Sequence, residues 1–97
     1  MYARVIQLTT NTGSGQDVVD RIQSDLLPIY RGADGFIAYY IVGAGADTFV
    51  TIRVFNDEQT LEAANQTASA ESDQILADFD ITPSDSGQGD VVLFAQS

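Results

Sequence analysis

Residues 36–42 read Phe-Ile-Ala-Tyr-Tyr-Ile-Val, an unbroken apolar and aromatic run set between Gly35 and Gly43. A run of this kind predicts a β-strand covered on both faces. Gly43-Ala44-Gly45-Ala46-Asp47 follows as a hairpin loop, and residues 48–55, Thr-Phe-Val-Thr-Ile-Arg-Val-Phe, as the partner strand. By alternation Phe36, Ala38, Tyr40 and Val42 point one way, and Ile37, Tyr39 and Ile41 the other. The partner sets Val50, Ile52 and Val54 against Phe49, Thr51 and Phe55. Helices can cover only one of these faces. The other would expose apolar surface on the order of several hundred Å², which predicts burial against a second copy of the chain.

Working outward, residues 2–10 interleave Arg4 and Gln7 with Val5, Ile6 and Leu8 and predict a first strand. Residues 11–15 break it, with Ser14 as the expected N-cap. From Gln16 to Tyr30, Val18, Val19, Ile22, Leu26 and Ile29 or Tyr30 share one helical face. Pro28 predicts a kink or an irregular last turn, and Gly32 a left-handed cap. Beyond the hairpin, Asn56 or Asp57 caps a second helix carrying Leu61, Ala64, Ala68, Ile75 and Phe79. Its weakly apolar stretch at 68–72 predicts a bend or a split. Residues 80–90, with Pro83 and two glycines, read as a polar loop, and 90–95, Asp-Val-Val-Leu-Phe-Ala, as the last strand. The order β-α-β-β-α-β predicts an α+β, ferredoxin-like domain over 1–97, one antiparallel sheet with both helices on one face.

Composition narrows the chemistry. The chain has 97 residues and no cysteine, histidine or lysine, so thiolate nucleophiles, Ser-His-Asp triads, Schiff-base lysines and the usual soft-metal sites are all excluded. No metal and no organic cofactor is expected. Fourteen acidic side chains face four arginines, for a net charge of −10. Such a surface repels nucleic acid and anionic membranes alike. The excess of Asp with no Lys predicts a halophilic, cytoplasmic setting, where salt screens self-repulsion. Gly13-Ser14-Gly15 lacks the third glycine of a dinucleotide fingerprint, and Pro83 spoils any EF-hand reading of the acids around it.

Two stretches carry a resemblance. Ala33-Asp34-Gly35-Phe36-Ile37-Ala38-Tyr39-Tyr40 resembles the segment that opens the second strand of antibiotic-biosynthesis monooxygenase-like proteins. Val54-Phe55-Asn56-Asp57-Glu58, followed by Glu62-Ala63-Ala64-Asn65, is similar to their third strand and the start of their second helix. The resemblance implies a dimeric α+β barrel, two sheets face to face, with a pocket between sheet and helices in each subunit. Some members oxidise phenols or quinols without a cofactor, and others degrade haem using a His and a Trp on the second helix. This chain contains neither, and Glu71 stands near the place of that Trp, so haem is not expected.

Six residues are pocket candidates. Arg53 sits among apolar neighbours and shares a face with Thr51 and Phe55; it either holds an anionic ligand or pairs with an acid at the barrel rim. Tyr39 and Tyr40 project to opposite faces, so at most one reaches a pocket, where its hydroxyl could relay a proton. Gln7 and Asn65 could bond a ligand, or lie on solvated faces. Two functions remain: oxidation of a phenolic or quinol-type small molecule without a cofactor, or a non-catalytic ligand-binding or structural homodimer joined through the sheet face.

Overall fold

Apolar alternation, two helical faces and short connections give four strands and two helical arms in the computed structural model, which describes residues 1–10, 13–45 and 47–95. Strand β1 (Tyr2–Thr9) leads to a helical arm built from α1 (Gly15–Arg21), a π-helical turn (Ile22–Leu26) and α2 (Leu27–Arg31). Then come β2 (Phe36–Gly43), β3 (Thr48–Phe55), the long α3 (Glu58–Asp78) and β4 (Thr82–Asp90). The sheet order is β2-β3-β1-β4, all neighbours antiparallel, which is the ferredoxin-like arrangement.

The π turn has a cause in the spacing of the core residues. Val18, Ile22, Leu26 and Tyr30 are all buried and lie four residues apart. At about 100° per residue in an α-helix, each step of four overshoots the turn by about 40°. Three such steps would carry Tyr30 well around the helix from Val18. A wider turn in the middle takes up that drift and keeps all four over the sheet. Pro28 favours the same solution, since it has no N–H to continue the regular ladder. The irregularity expected at Pro28 therefore sits just ahead of it.

Helix α3 runs unbroken for 21 residues, so the predicted split at 68–72 does not occur. Ala64 and Ala68 are buried there and bring the helix close to its neighbours, while alanine is the best helix former. Asp57 caps the helix: its carboxylate accepts from the Thr60 N–H at 2.8 Å in a capping box. Ser14 precedes α1 without a side-chain cap. Gly32 is right-handed at φ −84°, contrary to the expected left-handed cap. The positive angle belongs to Gly35, at φ +78°, whose missing side chain lets Thr60 approach.

Two corrections concern the strands. The last strand is the polar 82–90, not 90–95. Only residues 79–81 separate α3 from it, so the chain meets β1 at once and pairs Thr82 with Thr9. An edge strand is held by its backbone bonds and needs no apolar run. Val92, Leu93 and Phe94 follow it and are exposed. The second correction is to Phe36. A bulge between Phe36 and Ala38 resets the alternation, so Phe36 packs on the core side with Tyr39 and Ile41.

The core lies between the sheet and the helices, with Tyr30, Phe55 and Leu61 fully buried. The other face of the sheet carries Val5, Tyr40, Val42, Val50, Ile52 and Val54, partly or largely exposed. No helix among the described residues is long and apolar enough to cross a membrane.

Candidate functional site

Strand parity puts the chemistry in one row. Tyr39 on β2 lies opposite Arg53 on β3, and Arg53 lies opposite Arg4 on β1. Adjacent strands are about 5 Å apart, so three polar side chains rise side by side from the helix face of the sheet. Above them is a cavity of about 260 Å³. Its apolar walls include Ile22 and Leu26 from the π turn, Leu76 from α3 and Ile81 ahead of β4. Asn65, Ser69, Ser72 and Asp73 on α3 supply the remaining polar lining.

Arg53 is only 8% exposed, held between the buried Thr51 and Phe55. Its guanidinium carbon stands 4.9 Å from the centre of the Tyr30 ring and 5.8 Å from that of Tyr39. Its Nη1 donates to the Asn65 Oδ1 at 3.0 Å. The Tyr30 hydroxyl donates to the same oxygen at 2.7 Å. Among the described residues Arg53 has no carboxylate partner; the ion pairs there belong to Arg4 and Arg21. A buried charge of this kind carries a desolvation cost of several kcal/mol, offset here by ring faces and an amide oxygen. Burial pushes the Tyr30 hydroxyl above the ordinary phenol value, and the Arg53 charge opposes that shift only in part. Tyr30 therefore keeps its proton at neutral pH.

Three donors at the cavity are left over. The Nε of Arg53, the Nε of Arg4 and the hydroxyl of Tyr39 are buried with no hydrogen-bond partner among the described residues. Buried polar groups are almost always bonded, so each calls for an acceptor. All three residues border the cavity.

Of the six candidates, the fold brings Arg53, Tyr39 and Asn65 together at the cavity. Thr51 is buried beside them, its hydroxyl donating to the Ile6 carbonyl at 3.3 Å. Tyr40 and Gln7 lie on the opposite face of the sheet, both exposed, and do not reach the cavity. Gln7 has the wrong parity, since Arg4, Ile6 and Leu8 take the helix side of β1. Sequence reasoning missed Arg4 and Tyr30 as site residues. The signal for Arg4 was its parity with Ile6 and Leu8; the one for Tyr30 was its place four residues beyond Leu26. Among the described residues no group of three or more acidic side chains could hold a metal ion.

The model of the family described as antibiotic biosynthesis monooxygenase matches residues 1–72. No curated protein matches the chain significantly. Among solved structures, a dimeric ferredoxin-like protein from an uncultured marine organism superposes with a TM-score of 0.78 at 11% identity, covering 100% of both chains. SnoaB from Streptomyces nogalater, a cofactor-independent oxygenase, in its N63A mutant form, gives 0.79 at 12% identity, covering 99% of this chain and 98% of that one. A monooxygenase from the gene ActVA-Orf6 of Streptomyces coelicolor, in complex with nanaomycin D, gives 0.71 at 13% identity over 97% and 92% of the chains. At such identities the likeness is one of fold.

Proposed function

Because this chain belongs to the antibiotic biosynthesis monooxygenase family, we propose that it oxidises a phenolic or quinol-type small molecule without metal or organic cofactor. The observation that carries this reading is Arg53, a buried cation that among the described residues has no acid beside it and a free Nε, at the edge of a cavity. In such chemistry the substrate supplies the electrons to dioxygen. The protein's part is a dry cavity, a positive charge where the substrate becomes an anion, and a path for its proton. Arg53 supplies the charge. Tyr39, whose hydroxyl is unbonded, supplies the contact through which the proton can leave. Tyr30 stays protonated and steers Asn65 against the guanidinium, which fixes the cation in place.

The active form in this proposal is a homodimer in which a second copy covers the open sheet face, as the apolar residues there require. The absence of histidine leaves the chain without the commonest general base. That favours the second reading, a ligand-binding homodimer that does no chemistry. Oxygen consumption separates the two. A panel of substituted hydroquinones and phenols, followed with an oxygen electrode, should show uptake above the rate without protein for at least one compound. Binding of panel members with no uptake by any of them would leave the ligand-binding dimer.

A further inference from the structure

The three unsatisfied donors also specify what kind of group the ligand must offer. We propose that the row Tyr39–Arg53–Arg4 is a carboxylate site, and that Asp85 is the competing anion a ligand's carboxylate displaces from Arg4. This rests on the cavity being a ligand site, as proposed above, and adds the chemical class of the ligand: an aromatic acid that bears its carboxylate beside the ring hydroxyl that reacts, so that Arg53 faces both groups.

A phenolate presents one oxygen, whereas a carboxylate presents two, with about four acceptor positions. Three buried donors from three adjacent strands match the second. On each guanidinium one Nη has a partner, while the Nε has none among the described residues. On Arg53 the Nη1 is held by Asn65 at 3.0 Å. On Arg4 the Nη2 is held by Asp85 at 3.3 Å. An arginine edge is the planar partner that carboxylates take best.

Asp85 reaches Arg4 because of a bulge. The register of β1 with β4 shifts between Val5, opposite Gly87, and Ile6, opposite Asp85. Ser86 is the extra residue, and it turns Asp85 to the same side of the sheet as Ile6 and Arg4. Regular pairing would have turned it away. The Asp85 carboxylate is itself 55% exposed at its side chain, so it is weakly held and free to leave. The fold thus places an intramolecular carboxylate on the donor that a ligand carboxylate would need. Asp73, also at the cavity lining and exposed, adds a second acid at the mouth and lowers affinity for every anion alike.

The test is calorimetric titration at one fixed salt concentration with benzoate and its neutral isostere benzamide. The protein should bind benzoate at least about tenfold more tightly than benzamide. Arg4→Gln should weaken benzoate by about tenfold and leave benzamide within about twofold. Asp85→Asn should strengthen benzoate by about three- to tenfold, since it removes the competitor and touches only an exposed pair. Equal affinity for benzoate and benzamide would overturn the proposal, as would no binding of either. So would an Arg4→Gln variant that binds benzoate as before, or an Asp85→Asn variant that binds it less well. None of these outcomes depends on turnover, so a failed oxygen-uptake assay and a failed carboxylate site are told apart.

Discussion

Replacing Arg53 by methionine keeps an unbranched stem of similar length and removes only the charge and its hydrogen bonds. In the native fold the guanidinium gives one charge-assisted bond to Asn65, worth about 1.5–3 kcal/mol. Its position over the Tyr30 and Tyr39 rings contributes about 0.5–2 kcal/mol more. Against this stands the desolvation of a side chain only 8% exposed, several kcal/mol per buried ion. The variant strands no partner, because the Asn65 oxygen still accepts from Tyr30 at 2.7 Å. The opposing contributions are of similar size, so stability should change by no more than about 1 kcal/mol, a Tm shift within about 4–8 °C for a domain of this length. Affinity for an anionic phenol such as 4-hydroxybenzoate should fall more than tenfold, about 1.4 kcal/mol or more. Melting curves and calorimetric titration on the one variant measure both. A stability loss of about 3–5 kcal/mol would mean that Arg53 neutralises a buried acid, and would refute the reasoning. Unchanged affinity would refute it equally.

Two further expectations concern the frame around the site. Gly35→Ala should cost about 2–4 kcal/mol in urea denaturation, because the new Cβ would lie 2.7–2.9 Å from three atoms of Thr60 on a backbone at φ +78°; a loss below about 0.5 kcal/mol would contradict this. Stability should also have an acid limb and an alkaline limb. Bonds from Thr60 hold the Asp57 carboxyl below its ordinary range, and bonds from Gln74 and then Arg21 do the same for Asp78. Groups lowered in the fold stabilise above the ordinary carboxylate pKa, and that contribution is lost as pH falls below about 4. Tyr30 is raised by burial, so its contribution is complete below about pH 10 and lost above it. Far-UV circular dichroism against pH tests both limbs, and a double Asp57→Asn, Asp78→Asn variant with an unshifted acid midpoint would count against the assignment.

Much of this was legible before any coordinates. The spacing of Val18, Ile22 and Leu26, the alternation of 48–55 and the cap at Asp57 all predicted what the fold contains. What escaped was local and had no apolar signature. The bulge at Phe36 inverts one side chain without altering composition. The polar β4 is held by pairing with β1, so residues 90–95 drew the strand assignment by hydropathy alone. Arg53 could be singled out because a charge between Ile52 and Val54 is conspicuous. Asn65 was a candidate too, but its contact with Arg53 was not legible, since Asn65 and Tyr30 meet Arg53 only through the packing of two helical arms, and Asp85 meets Arg4 only through a bulge.

The wide turn at residues 22–26 also bears on how such a cavity can change. In terms of chain length, a π turn is an ordinary helix holding one surplus residue. Removing a residue there would restore regular winding with little rotation of the flanks, since Val18 and Tyr30, then eleven residues apart, would differ by only about 20° at about 100° per residue. The change would be confined to the wall formed by Ile22 and Leu26, while the floor of Tyr39, Arg53 and Arg4 stayed where it is. The wall and the floor of the cavity are thus set by separate parts of the chain. A single codon lost or gained in the roof would reshape that wall, with the row of Tyr39, Arg53 and Arg4 left untouched beneath it.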